Sequence, residues 1–94
     1  MFDISRGANG EVLLSGRLDA AQVDRVRDEL KNQTASCEVS FEKLDYISSA
    51  GMGVLLGVQK RLSVAGQGLI LTHMNRHIRE LFTIAGFNHV FTIK

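Results

Sequence analysis

One serine in this chain lies where its hydroxyl group could do chemistry. Ser49 falls within the segment Tyr46–Gly53, where a strand-like pattern gives way to a helix-like pattern. The first backbone N–H groups of a helix lack partners within the helix, and the helix dipole favours negative charge at that end. The Ser49 hydroxyl could therefore cap the helix, act as a nucleophile, or accept a phosphate group.

Catalysis by this serine has little support in the sequence. A nucleophilic serine needs a base and a group that orients the base, and no Gly-x-Ser-x-Gly elbow surrounds Ser49. His73, His77 and His89 all fall in the last quarter of the chain, and none has an obvious carboxylate partner. We therefore expect no catalytic residue and a protein that is not an enzyme.

Neither a metal nor a cofactor is expected. His73 and His77 are four residues apart, but His73 follows a strand and precedes a presumed helix cap at Asn75, so the two do not share a helix. No Cys or acidic residue completes a ligand set around them. The pattern of Gly51, Gly53 and Gly57 lacks the spacing of a nucleotide-binding loop. Such glycines let a helix pack closely on a sheet, or let another backbone or a protein partner approach the helix start.

Length and composition indicate one globular domain. The chain has 94 residues, of which 45% are hydrophobic and 22% charged, and its net charge is +1. These values are typical of a soluble domain with one small core. A charge this close to zero implies no strong attraction to nucleic acid or to an anionic membrane. We expect a single domain over residues 1–94 that binds no nucleic acid.

Cysteine content and hydropathy predict a cytoplasmic location. Cys37 is the only cysteine, which excludes an internal disulfide and fits a reducing compartment. Nothing electropositive flanks Cys37 in the sequence, so we expect a small buried hydrophobic residue and not a reactive thiol. The most apolar stretch, Ala50–Val58, is far shorter than the ~20 residues that a membrane span needs. The N-terminal residues lack a signal-peptide pattern, and no membrane insertion is expected.

The elements that position Ser49 follow from hydrophobic periodicity. Strand-like and helix-like segments alternate in the order β-β-α-β-α-β-α-β. The predicted strands are Phe2–Ile4, Glu11–Ser15, Cys37–Phe41 with an extension toward Leu44, Leu69–Thr72 and Val90–Ile93. The predicted helices are about Ala20–Lys31, the segment from the serine turn to Leu62, and the segment from Asn75 to a stop at Gly86. This alternation argues for an α/β layered domain with parallel, right-handed strand–helix–strand units.

Local signals support the helix boundaries. Asp19 and Gln22 form a capping-box pattern, Leu18 and Val23 are placed for a hydrophobic staple, and Gly66 is a natural helix stop. The predicted inner face of the second helix is Gly51, Val54, Leu55, Val58 and Leu62, and that of the third is Ile78, Leu81, Phe82 and Ala85. Functional residues are expected where strands lead into helices.

The segment Tyr46–Leu56 resembles the core signature of STAS domains, the anti-sigma factor antagonists. Three further segments match in the family order: Gly16–Asp19, Gly66–Leu69 and Leu81–Phe87. The similarity spans almost the entire chain without insertions, and the combination of segments is specific. It implies the STAS fold, a mixed and mostly parallel β-sheet with helices packed against it.

The resemblance also implies a role in partner switching. In that family the unphosphorylated antagonist binds an anti-sigma factor, which is also a serine kinase of the GHKL ATPase type, and thereby releases the client of that factor. The kinase phosphorylates a serine at the helix start, the complex dissociates, and a PP2C-type phosphatase restores the antagonist. When the sequences are aligned on Gly51, the phosphoacceptor is Ser49, and Asp19 matches an aspartate on the kinase-facing surface.

The resemblance places the partner-binding surface on Arg17, Asp19, Ser48, Ala50, Gly51, Met52, Gly53 and Leu55. Three positions differ from the common family pattern. Ser48 occupies a position where aspartate is common and is a rival phosphoacceptor, and Ala50 follows the acceptor. Arg17 replaces a glutamate, which reverses the sign of an acidic contact with the kinase.

Two classes of function stay open at this point. The residues alone favour a cap role for Ser49, and the resemblance favours phosphorylation. The main hypothesis is a phosphorylation-controlled binding switch. The alternative is a constitutive STAS scaffold subunit of a transporter or signalling assembly, in which Ser49 only caps the helix. A serine hydrolase is a third class that would require labelling of Ser49 by an active-site serine probe, which is not expected.

Overall fold

A five-stranded sheet forms the centre of the computed structural model, which describes residues 1–94. The strands are β1 (Phe2–Arg6), β2 (Val12–Leu18), β3 (Cys37–Ile47), β4 (Leu69–Thr72) and β5 (Thr92–Ile93). The helices are α1 (Val23–Leu30), α2 (Ser49–Ser63) and α3 (Arg76–Ile84), with 3-10 turns at Ala20–Gln22 and Phe87–His89. The predicted order of strands and helices is confirmed.

The sheet has the mixed and mostly parallel topology that was predicted. Its spatial order is β1-β2-β3-β4-β5, with β1 antiparallel to β2 as in a hairpin. The pairs β2–β3, β3–β4 and β4–β5 are parallel. Because β2 and β3 are parallel neighbours, their carboxyl ends meet at one edge of the sheet.

Several boundaries differ from the predicted ones. Strand β2 continues to Leu18 and β3 to Ile47, because these two segments pair with each other over their last residues. The first helix begins with a 3-10 turn and becomes α-helical only at Val23. The last strand contains Thr92–Ile93 alone, since the N–H of Phe91 bonds back to the Phe87 carbonyl.

The predicted cap of α3 and the predicted glycine stops after α2 and α3 are confirmed. Asn75 caps α3 by accepting a hydrogen bond from the Ile78 N–H at 2.8 Å, and Gly86 follows the helix in the left-handed conformation. Gly66 adopts the same conformation after α2. Such positions favour glycine because a Cβ atom disfavours positive φ. Ala85 was expected on the inner face of α3, but it is the exposed residue at the helix end.

One hydrophobic core lies between the sheet and the helices. It comprises 21 buried apolar residues, among them Val26 and Leu30 of α1 and Ile78 and Phe82 of α3. Phe82 makes edge-to-face contacts with Phe41, Phe87 and Phe91, a geometry that aromatic pairs prefer. This core fixes α2 against the sheet and so determines where its first turn lies.

Cys37 belongs to this core, as predicted, with 7% of its surface exposed. The tertiary structure adds a cationic neighbour that the sequence does not place beside it. The Arg6 guanidinium lies 3.7 Å from the Cys37 sulfur and also bonds Glu29 and Gln33. No cation flanks Cys37 in the sequence, and the one beside it in space is there because the β1–β2 hairpin carries Arg6 across to the start of β3.

Candidate functional site

The carboxyl ends of β2 and β3 bring two loops side by side. Leu18 pairs with Ile47, which is the last residue of β3. Beyond this pair, the Ser48 N–H donates to the Leu18 carbonyl at 2.9 Å. Asp19 follows Leu18, and Ser49 follows Ser48, so two segments that are distant in the sequence form one local surface.

Ser48 caps helix α2. Its backbone is extended, and its hydroxyl oxygen accepts a hydrogen bond from the Gly51 N–H at 3.1 Å. Its carbonyl accepts the first helical bond, from the Met52 N–H at 2.9 Å. This is the geometry of an N-cap residue. The prediction that Ser49 caps the helix is therefore wrong, because β3 extends to Ile47 and leaves Ser48 at the junction.

Ser49 is the first residue of the helix, and it is exposed. Its hydroxyl group has no hydrogen-bond partner in the chain, whereas that of Ser48 is engaged in the cap. The Ser49 and Ala50 N–H groups are the initial helix donors that the cap leaves free. No acidic residue occupies the first turn. A negative group on Ser49 would thus meet unpaired N–H donors and the positive end of the helix dipole.

Gly51 lies where helix and sheet come closest. A Cβ atom at Gly51 would lie 2.9 Å from Leu18 Cγ, 2.9 Å from Ile47 Cγ1 and 3.0 Å from the Leu18 carbonyl oxygen. Leu18 and Ile47 are both buried, so neither can easily move aside. The predicted close packing of a glycine against the sheet is confirmed here, and it fixes the first turn of α2 against the end of β2.

Gly53 and Gly57 have different surroundings. Both are exposed, and a Cβ atom added at either would meet nothing within 4 Å. The expectation that glycines at these two positions pack the helix on the sheet is wrong. Because helix α2 turns them away from the sheet, they leave bare helix backbone at the surface.

Asp19 caps the 3-10 turn Ala20–Gln22 at the same edge of the sheet. Its carboxylate accepts a hydrogen bond from the Ala21 N–H, and its own N–H donates to the Gln22 side chain, each at 3.0 Å. The predicted capping box is confirmed. The hydrogen bond to Ala21 uses one carboxylate oxygen, and Asp19 is half-buried.

Arg17 lies on β2, two residues before Asp19, and is paired with Tyr46 of β3. Its guanidinium carbon is 4.2 Å from the centre of the Tyr46 ring, within the range of a cation–π contact. Arg17 is exposed and forms no ion pair with a carboxylate in the chain. The aromatic ring therefore holds an unneutralised positive charge beside the Ser48–Ser49 turn.

Three residues of the predicted surface are covered instead of exposed. Leu55 has no exposed surface, Met52 has 8%, and Gly51 is buried. The expectation that Leu55 offers surface to a partner is therefore corrected, and Gly51 and Met52 offer little surface. Helix α2 directs all three toward the sheet, where they support the exposed turn. Arg17, Asp19, Ser48, Ala50 and Gly53 keep exposed or half-exposed surface next to Ser49.

The histidines do not assemble a site. His73 follows β4 and bonds the Thr72 hydroxyl at 3.0 Å, whereas His77 lies on α3. No group of three or more His, Cys, Asp or Glu side chains in the chain could hold a metal ion. None of the helices has the length and apolar content that would let it cross a membrane.

Comparison with known proteins gives consistent matches. The family model described as Mlab, STAS domain matches residues 3–93. BtrV of Bordetella bronchiseptica, which is assigned as an anti-sigma factor antagonist, is 36% identical over 84 residues, covering 85% of this chain and 72% of BtrV.

Solved structures match over the whole chain. The anti-sigma factor antagonist SpoIIAA in its unphosphorylated form superposes with a TM-score of 0.78 at 21% identity, covering 100% of this chain and 88% of SpoIIAA. The Bacillus cell fate determinant SpoIIAA in its phosphorylated form gives a TM-score of 0.72 at 21% identity, covering 100% of this chain and 91% of that one. At this identity the match concerns the fold, and the predicted fold is confirmed.

Proposed function

The chain belongs to the STAS-domain family of anti-sigma factor antagonists, and from this membership we propose that it is a phosphorylation-controlled binding switch. The unphosphorylated protein binds an anti-sigma factor that is also a serine kinase of the GHKL type, and the client of that factor is released. The kinase transfers phosphate to Ser49, and the complex dissociates. A PP2C-type phosphatase restores the binding form. The protein acts in the cytoplasm and has no catalytic activity of its own.

The different surroundings of the two adjacent serines carry this proposal. The Ser48 hydroxyl is half-buried and accepts the Gly51 N–H, whereas the Ser49 hydroxyl is exposed and free. A kinase can reach Ser49 without disturbing the cap of α2. This supports Ser49 over its rival Ser48 as phosphoacceptor. The scaffold alternative gave Ser49 no role except that of a helix cap. Because Ser48 is the cap residue, this part of the alternative loses its support.

A phosphate on Ser49 would be tolerated by the fold and opposed by a docked partner. It carries a charge of about −1.5 to −2, which the free N–H groups and the helix dipole offset in the isolated protein. A partner packed over Ala50 and Gly53 would have to desolvate that charge or move away. An effect of about 2–4 kcal/mol on binding, equivalent to a factor of roughly 30 to 1,000 in affinity, is reasonable for such a group.

Arg17 and Asp19 would complete the partner-binding surface. They lie at the end of β2 and directly after it, beside the Ser48–Ser49 turn, with opposite charges two residues apart. The Tyr46 ring restrains the Arg17 guanidinium, so less side-chain entropy is lost when a partner binds it. We infer that the partner presents a carboxylate toward Arg17, since a cation there would be repelled.

Phosphorylation of purified protein tests the proposal directly. The protein is incubated with ATP and the GHKL-type anti-sigma factor of the same organism, and its intact mass is measured. We expect the wild type and Ser48→Ala to gain one phosphate and Ser49→Ala to gain none. Equal phosphorylation of Ser49→Ala and the wild type would refute Ser49 as the acceptor.

Intact mass combined with a binding measurement separates the switch from the scaffold alternative. If the wild type forms a complex with the kinase and yet gains no phosphate, constitutive docking is favoured. Ser49→Ala is a clean variant for this purpose, because Ser48 and not Ser49 supplies the cap hydrogen bond. We expect its thermal unfolding to match that of the wild type, so that a change in phosphorylation reflects the missing hydroxyl alone.

A further inference from the structure

Helix α2 contains two interior glycines at positions where no contact within the chain requires a glycine. Gly53 and Gly57 lie four residues apart, and a Cβ atom at either would point into open space. Glycine inside a helix is about 1 kcal/mol less favourable than alanine. The fold therefore forgoes stability at both positions without gaining an internal contact. A glycine at such a site has a use when the backbone of another molecule approaches closely.

These glycines form one wall of a groove between α1 and α2. We call it the α1–α2 groove, and its lining residues are Arg27, Leu30, Lys31, Gly53, Val54, Gly57, Val58 and Arg61. Val54 and Val58 expose small apolar edges at its floor, 7% of each residue, above the fully buried Leu30. A shallow apolar surface bordered by bare helix backbone fits an amphipathic helix better than a small polar ligand.

The charged residues that line the groove are all cations. Three of its lining residues are cations and none is acidic. The carboxylates of α1 at Asp28 and Glu29 line the opposite flank of that helix, together with Arg25. Of the three carboxylates of α1, Asp28 and Glu29 thus face away from the groove, whereas Asp24 pairs with the groove-lining Arg27.

Two of the three cations are free to attract an anionic partner. Lys31 is exposed and forms no ion pair, whereas Arg27 is paired with Asp24 at 2.6 Å. Arg61 donates to the Leu30 and Gln33 carbonyl oxygens at 2.6 Å each. These bonds hold its guanidinium in place but involve neutral carbonyl groups, so its charge is not cancelled by a carboxylate.

The groove is continuous with the surface around the phosphoacceptor. Ser49, Gly53, Gly57 and Arg61 follow one another at four-residue spacing along α2 and are all exposed. Successive residues at this spacing are neighbours on a helix surface, the series turns about 40° around the helix at each step, and the rise from the first to the last is about 18 Å. A partner element seated at Ser49 could therefore run along this series to the cationic end of the groove.

We propose that the α1–α2 groove docks an acidic amphipathic helix of the same anti-sigma factor that contacts Ser49. This inference rests on the proposed function and extends it by a second contact area and by the chemistry of the partner. Apolar side chains of the docked helix lie over Val54 and Val58, its backbone crosses Gly53 and Gly57, and its carboxylates face Lys31 and Arg61.

Two groove variants and two matched controls test this inference. Gly57→Gln places a side chain in the groove, and Lys31→Glu reverses a free charge. Ser63→Gln adds the same side chain at an exposed position of α2 outside the groove. Lys43→Glu makes the same charge change at an exposed position of β3. Affinity for the purified anti-sigma factor is measured by calorimetry, with Ser49→Ala as background so that no phosphate is added.

We expect each groove variant to weaken binding about tenfold or more and each control to change it less than about twofold. The loss with Lys31→Glu should shrink at high salt, because exposed charges are screened. Thermal unfolding checks folding, and Gly57→Gln should not be less stable, since glutamine favours a helix more than glycine does.

The outcomes distinguish this inference from the proposed function. If Ser49→Ala binds the anti-sigma factor and both groove variants bind equally well, the groove is not a docking site and the switch at Ser49 stands. If neither Ser49→Ala nor the wild type binds the anti-sigma factor, the proposed function fails and the groove inference fails with it. Weakening by both groove variants with unaffected controls supports the inference.

Discussion

The buried and exposed sides of helix α2 differ in how their glycines are used. On the buried side, Gly51 touches Leu18 and Ile47 so closely that no other residue fits without a shift. On the exposed side, a Cβ atom added at Gly53 or Gly57 would meet no atom within 4 Å. The first glycine fixes the turn that carries Ser49, and the other two leave bare helix backbone at the surface, where we propose that a partner docks. The difference shows that a small residue in a helix has to be interpreted from what surrounds it.

The largest effect is expected on the exposed side, at Ser49. Ser49→Asp places a single negative charge at the start of α2, about half that of a phosphate. We expect its affinity for the anti-sigma factor to fall by roughly 10- to 100-fold, because the charge must be desolvated beneath the partner. Ser49→Asn is the matched neutral control. If Ser49→Asp bound as tightly as Ser49→Asn, charge would not be what releases the partner.

The buried side should respond through stability. Gly51→Ala introduces a methyl group at 2.9–3.0 Å from three atoms of the β2 and β3 ends. We expect the free energy of unfolding to fall by about 1–2 kcal/mol, since overpacking outweighs the better helix propensity of alanine. Urea denaturation measures this change. A stability equal to that of the wild type would mean that the contact at Gly51 is looser than the distances indicate.

Removal of the Ser48 cap should have an intermediate effect on the free energy of unfolding. Ser48→Ala removes the hydroxyl that accepts the Gly51 N–H, and we expect a loss of about 1 kcal/mol in unfolding free energy. Ser49→Ala, one residue later, should cost much less because its hydroxyl has no partner. Chemical denaturation of the two variants compares them. A larger loss for Ser49→Ala than for Ser48→Ala would contradict the assignment of the cap to Ser48.

The smallest effect, with the opposite sign, is expected at Gly53 and Gly57. Alanine at either position should raise the free energy of unfolding by about 0.5–1 kcal/mol, because the added methyl group meets no atom and glycine is a poor helix former. The same urea titration applies. If Gly53→Ala destabilised the protein as much as Gly51→Ala does, the proposed difference between the buried and exposed glycines of α2 would be contradicted.

Much of the fold could be predicted because its boundaries carry local signals. Strand β4 was predicted with its observed bounds, and Asn75, Gly86 and Gly66 mark helix ends in the sequence as they do in the structure. The start of α2 could not be predicted to the residue. Two serines stand side by side there, and the choice between them depends on the pairing of Ile47 with Leu18, a contact between distant parts of the chain.

The site was predicted in part. Helical spacing correctly placed Leu55 on the inner face of α2, whereas the carry-over from the family resemblance placed it on the docking surface, where burial excludes it. Glycine spacing alone could not tell Gly51 from Gly57, because the distinction depends on which side of the helix faces the sheet. The groove depends on the packing of α1 beside α2, and no local sequence pattern indicates that contact.

The affinity of the anti-sigma factor for the two forms of this protein tests the central claim most directly. The protein is phosphorylated to completion by the kinase, the site is mapped to Ser49, and both forms are titrated against the anti-sigma factor at one salt concentration. We predict a loss of affinity of roughly 30-fold or more on phosphorylation, and full recovery after treatment with a PP2C-type phosphatase. Equal affinities of the two forms would contradict the switch.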